Sequence, residues 1–155
     1  MNREAVSDVN EVSVSAWYAV DVHQAFCAWT EPSKIEQWFG PKGFRAEVLE
    51  MDVRAGGNWR FKMISQSGEA SHHRGHYRSV EPDKFLSFTW ESEEEKDLTE
   101  GRETLVSVQF TPEHGGVRVT LVHRKLPTRQ AKQALEFGWS SGLEKLKRQF
   151  GGQDD

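Results

Sequence analysis

Apolar and polar residues alternate along much of this 155-residue chain, and a three-and-four spacing replaces the alternation near both ends. Between Glu11 and Val20, Val12, Val14, Ala16, Tyr18 and Val20 fall on one side and Ser13 and Ser15 on the other, which predicts a half-buried strand. Asp21 then offers a helix N-cap, with Val22, Ala25, Phe26 and Trp29 at helical spacing behind it. Glu31-Pro32-Ser33 restarts a second short helix, with Pro32 where its missing N–H costs little. Its apolar side is Ile35, Trp38 and Phe39, and Gly40-Pro41-Lys42-Gly43 ends it.

Alternation returns for six further strands. Phe44, Ala46 and Val48 share a side in the first of these, and Gly56-Gly57 turns the chain into Trp59, Phe61 and Met63. After a loop at 65–68, residues 70–80 predict a strand, closed by the Pro82-Asp83 turn signal. Leu86, Phe88 and Trp90 alternate next, and the acidic stretch 91–101 reads as a solvated hairpin loop. Val106, Val108 and Phe110 precede a turn at 112–116, and Val117, Val119, Leu121 and His123 follow it. From Thr128 to Phe150 the period changes again: Ala131, Ala134, Leu135, Trp139, Leu143, Leu146 and Phe150 form one stripe of a helix capped by Thr128 and stopped by Gly151-Gly152.

The short connections make the sheet antiparallel, and each strand has one apolar face. The long helix, whose own stripe demands burial, is the cover for that face. The fold class is therefore α+β of the helix-grip kind: a seven-stranded curved antiparallel sheet around a C-terminal helix, with two short helices after the first strand. No repeat, low-complexity tract or linker divides the chain, so residues 11–150 read as a single domain, with polar and loose termini at 1–10 and 151–155.

Composition narrows the function classes. The net charge of −4 provides no broad basic field for nucleic acid. The longest apolar runs are far too short to span a membrane, and the N-terminal stretch has no signal-peptide pattern. Cys27 is the only cysteine, which excludes an internal disulfide and fits a reducing, cytoplasmic setting. Monomer and edge-paired homodimer both suit the predicted sheet.

Candidate chemistry is sparse. His72 and His76 share a strand face but stand roughly 13 Å apart, too far for one ion, and His73 points the other way. A solvated or sheet-edge role is expected for all three, and no metal or cofactor is assigned. No Ser-His-Asp or Cys-His arrangement, dinucleotide fingerprint or P-loop is legible, and Cys27 reads as inert filling. What favours a hollow is Gly138 and Gly142, four apart on one face of the long helix, each costing up to about 1 kcal/mol against alanine. Close approach of the helix to the sheet is one reason for them, and room for a guest is the other.

The ordered set Trp29-Thr30 with Pro32, Ile35 and Trp38-Phe39, Gly56-Gly57 with Trp59, Gly75 and Tyr77 with Val80, Pro82, Phe85 and Thr89-Trp90, and Gly138-Trp139 with Leu143 and Leu146 resembles the family named after the activator of the Hsp90 ATPase. That family belongs to the START-like group, with plant pathogenesis-related proteins, polyketide cyclases and lipid-transfer domains. The resemblance runs from about Glu11 to Phe150 and implies a cavity between the sheet and the last helix. It also implies an Hsp90-type chaperone as an alternative partner and a cyclase-like enzyme as a third reading, although eukaryotic activators make their main Hsp90 contact through a separate domain. The expected guest is a small hydrophobic molecule: a lipid, an isoprenoid or an aromatic. The residues expected to line its site are Trp59, Phe61 and Met63, then Tyr77, Phe88 and Trp90, then Val108, Leu121 and His123. Leu135, Gly138, Trp139 and Gly142 complete the set from the helix.

Overall fold

The computed structural model describes residues 11–151, and the expectation of loose ends at 1–10 and 151–155 falls outside the described residues except at Gly151, which turns at the end of the last helix. Strand β1 (Val12–Tyr18) leads into helices α1 (Val22–Thr30) and α2 (Pro32–Trp38). Strands β2 (Arg45–Met51), β3 (Asn58–Ile64), β4 (Ala70–Glu81) and β5 (Phe85–Ser92) follow, then a short helix α3 (Lys96–Thr99). Strands β6 (Thr104–Glu113) and β7 (Gly116–Arg124) and helix α4 (Arg129–Gln149) complete the order.

The seven strands form one sheet in the order β1-β7-β6-β5-β4-β3-β2, every neighbouring pair antiparallel. Local signals set the helix starts as expected. Asp21 caps α1 in a capping box with Gln24, and the Thr128 hydroxyl accepts from the Ala131 amide to open α4. Helix α4 lies over the concave face and buries Leu135, Trp139, Leu143 and Leu146. Beneath it, Val106, Val108, Val117, Val119 and Leu121 have no exposed surface at all. Each such side chain stabilises the fold by roughly 1.5–3 kcal/mol. The Tyr18 hydroxyl donates to the Leu143 carbonyl at 3.0 Å and pins the far end of the helix to β1.

Helix α1 packs on β6 and β7, with Phe26 against Phe110 at a centroid distance of 5.4 Å, and α2 packs on β2 and α4. Trp38 donates to the Ala28 carbonyl at 2.9 Å, while Trp29 lies against both Trp38 and Trp139 at centroid distances of 4.6 and 5.9 Å. On the sheet, Trp59 Nε1 donates to the Thr89 carbonyl at 3.2 Å. Gly75 makes that approach possible: a Cβ there would stand 1.9 Å from the Thr89 oxygen and 2.7 Å from Trp59 Nε1.

Two local expectations need correction. The stretch 91–101 is not a plain solvated loop: β5 runs on to Ser92, and residues 96–99 form a helical turn. The reason is local hydrogen bonding, in which Ser92 Oγ accepts from the Glu95 amide at 3.0 Å and the buried Thr99 hydroxyl accepts from the Ser92 amide at 3.4 Å. That turn brings Leu98 against the core. The turn expected at 112–116 is tighter than read: β6 includes Pro112, and His114 and Gly115, at φ of 50° and 77°, form a two-residue hairpin turn.

Candidate functional site

A half-open hollow of about 340 Å³ lies where α4 crosses the end of the β3–β4–β5 side of the sheet. Its walls are Phe39, Pro41 and Phe44 from the α2–β2 connection, Met63 of β3, His73 of β4 and Trp90 of β5. Leu98 of α3 closes one side, and Ala134, Leu135, Gly138 and Trp139 of α4 form the roof. Lys42 and Glu95 stand at the rim with Phe137, which is 62% exposed. This volume is at the lower end of the usual range for small-molecule sites.

The connecting loop is fixed rather than left to chance. Lys145 Nζ of α4 donates to the carbonyls of Pro41 and Phe44 at 3.3 and 3.0 Å, and partial burial lowers its pKa. Gly40, at φ 101°, lets the loop pass Met63, whose Sδ would lie 2.9 Å from an added Cβ.

The two helix glycines separate. At Gly142 a Cβ would touch the Trp38 ring at 3.4 Å, so the neighbour of this glycine is helix α2 rather than the sheet. At Gly138 a Cβ would meet only Pro41 Cγ at 3.8 Å, and the backbone faces the hollow.

Of the residues expected to line a site, Met63, Trp90, Leu135, Gly138 and Trp139 surround this hollow. Trp59, Phe61, Tyr77 and Phe88 pack with Trp29, Ile35 and Phe39 around a remnant of only about 10 Å³. Their rings meet edge to face or tilted, Phe39–Phe61 at 5.1 Å and Trp59–Phe61 at 4.7 Å, as in ordinary aromatic core. Burial raises the pKa of the Tyr77 phenol. Val108 and Leu121 lie in the closed core under α4, and Gly142 lies against Trp38. Phe39, Pro41, Phe44, His73 and Leu98 line the hollow without having been read from the sequence.

Two histidines flank Trp90. His123 has no exposure, and its ring meets the Trp90 edge at 5.3 Å. Trp139 Nε1 donates to His123 Nδ1 at 3.0 Å, which puts the imidazole proton on Nε2. Nε2 then donates to Thr104 Oγ1 at 2.7 Å, and Thr104 donates to the Trp90 carbonyl at 2.7 Å. Every polar atom of that chain is used, and burial lowers the His123 pKa to about 3.

His73 overturns its expected solvated role. It lies in the strand that carries Ser71 and Tyr77 on the same side, it has no exposed surface, and its ring stacks on Trp90 at 5.1 Å and 14°. Ser71 Oγ pairs with Nε2 at 2.9 Å. Nδ1 has no partner among the described residues, and neither has Trp90 Nε1. Desolvation lowers the His73 pKa to about 4. His72 and His76 remain partly exposed on the other face, beside Glu94 and Glu103 respectively.

Two further clusters are polar. His72, Glu93 and Glu94 bring their side-chain ligand atoms within 4.8 Å of one another. Both carboxylates are already engaged there, Glu93 bidentate to Arg60 and Glu94 to His72, and these partners lower their pKa values. Elsewhere the structure assembles what the sequence did not show. His23 Nδ1 lies 2.9 Å from Asp83 Oδ1, and His23 Nε2 lies 3.5 Å from Cys27 Sγ. The order resembles a nucleophile triad, but burial and Glu31 raise the thiol pKa, which is the wrong direction for a thiolate.

Comparisons with known proteins agree with this geometry. The family model described as "Activator of Hsp90 ATPase homolog 1-like protein" matches residues 19–151. A Chromobacterium violaceum protein of 19% identity superposes with a TM-score of 0.84, over 93% of this chain and 99% of that one. The AHSA1 protein of Silicibacter pomeroyi is 25% identical, with a TM-score of 0.79 over 91% of this chain and 97% of that one. DynU16, a putative protein in the dynemicin biosynthetic locus, is 22% identical with a TM-score of 0.72, and the match covers 92% of this chain but 48% of that one. No curated protein matches. No helix among the described residues is long and apolar enough to cross a membrane.

Proposed function

The chain belongs to the activator of Hsp90 ATPase homolog 1-like family, and from that premise we propose that it is a binding module for a small hydrophobic molecule held in the hollow under α4. The observation that carries this reading is an apolar space of about 340 Å³ at the sheet–helix junction, bordered by a glycine at position 138. Filling it with protein would have gained burial energy at roughly 25 cal/mol per Å². The exposed Phe137 at the rim gives an entering guest its first apolar contact. The size suits a compact aromatic or a short isoprenoid better than a two-chain lipid.

The test uses N-phenyl-1-naphthylamine as a fluorescent probe and Gly138→Leu as a plug. Wild-type protein is expected to bind one probe per chain, and the plugged variant to lose at least tenfold in affinity while remaining folded. Equal binding by both proteins sinks the assignment of the site. The family description motivates an Hsp90-type chaperone as a second partner, and an ATPase rate unchanged across a wide range of added protein removes that reading.

A further inference from the structure

The walls of the hollow are apolar with one exception that lies below the rim. His73 and Trp90 are stacked, near-parallel rings in the sheet floor, both without solvent exposure beyond 2%. The imidazole has two polar nitrogens and Ser71 takes one, so one is left over in either ring orientation. The Trp90 indole N–H is also left over. Both nitrogens are buried and unpartnered in residues that line the hollow, and a ligand atom that reaches either one supplies the hydrogen bond it lacks. On the same face His123, across Trp90, uses both nitrogens on protein partners, whereas Trp29 Nε1, packed outside the hollow, is also without one among the described residues.

Resting on the cavity-binding reading, we propose that His73 is the recognition residue for a guest that is apolar apart from one uncharged oxygen group, a phenol or alcohol, which hydrogen-bonds the free imidazole nitrogen. A hydroxyl fits because it both donates and accepts, so it pairs with either tautomer of His73. A carboxylate does not fit this floor. The cation lining the hollow, Lys42, is exposed at the rim, and burying an unpaired charge among these walls is far costlier than burying a hydroxyl.

The experiment compares naphthalene with 1-naphthol, which differ by one hydroxyl, on wild-type protein and on His73→Leu. Titration calorimetry and tryptophan fluorescence read affinity. Wild-type protein is expected to prefer 1-naphthol, and His73→Leu to lose about tenfold for 1-naphthol while naphthalene changes by less than about threefold. Equal loss for both probes, or none for either, overturns the role of His73 and leaves the cavity-binding reading standing. Binding of neither probe by the wild type overturns both. Imidazole nitrogen spectra of labelled wild-type protein give a second readout that needs no variant: the His73 signals should move on adding 1-naphthol and stay in place with naphthalene. Unmoved His73 signals at saturation with 1-naphthol also overturn the proposal.

Discussion

Trp90 separates two buried histidines whose surroundings divide the concave face into unlike halves. On the β6–β7 side, His123 joins α4 to three strands through Trp139, Thr104 and the Trp90 carbonyl, with valines packed beneath. On the β4 side, His73 has one partner, and the space above it is bounded by loop residues and a glycine-bearing stretch of helix. Both rings are desolvated, and what sets them apart most plainly is the satisfaction of their nitrogens. The closed half ties the helix to the sheet, and the open half leaves a hollow beside it.

The largest expected effect is one the two histidines share. Both folded pKa values are depressed, to about 4 for His73 and about 3 for His123, against an unfolded value near 6.5. Between those limits the unfolded chain binds more protons, so stability is complete above pH about 6.5 and is lost as the pH falls. Each ring contributes up to about 1.4 kcal/mol per pH unit in that window, on the order of 3 kcal/mol for the pair between pH 6.5 and 5. Urea unfolding across a pH series measures this slope, and His73→Leu should halve it. An unchanged slope in that variant would mean that the His73 ring is not held neutral by burial.

Next in size is a substitution that breaks the symmetry between the halves. His123→Leu leaves the Trp139 indole N–H buried without an acceptor and should cost about 2–4 kcal/mol at neutral pH. His73→Leu removes a ring with an atom already unpaired and should change stability by less than about 1 kcal/mol. Urea midpoints of the two variants decide it. Similar losses in both would show that the pairing around the rings matters less than their volume.

The sequence carried the closed half and missed much of the open one. Period-two alternation with large apolar residues names Val106, Val108, Val117 and Leu121 as inward, and the three-and-four stripe names the face of α4. In 70–76 there is no such contrast: alanine, serine, histidines, arginine and glycine do not say which face is buried. Counting back in twos from Tyr77 puts His73 inward, and that parity was the available signal. Parity does not give depth along a strand, so Trp90 and Val108 read alike although one borders a hollow and the other lies in closed core. Pro41, Phe44 and Leu98 reach the cavity through loop and turn geometry that depends on distant contacts such as Lys145. No local pattern encodes that.

The smallest effect divides the same helix within one turn. Alanine at Gly138 or Gly142 should gain up to about 1 kcal/mol of helix propensity, because even at 142 the new methyl group only touches the Trp38 ring at 3.4 Å. Leucine separates the positions. At 138 the added carbons extend into the hollow beyond Pro41, so Gly138→Leu should keep the alanine gain while closing the site. At 142 they need the volume that Trp38 occupies, and overpacking of that kind costs typically 1–3 kcal/mol. Thermal unfolding of the two leucine variants reads the difference directly. If Gly138→Leu melts as low as Gly142→Leu, then the space above His73 is not available to a side chain, and the case for a guest there fails with it.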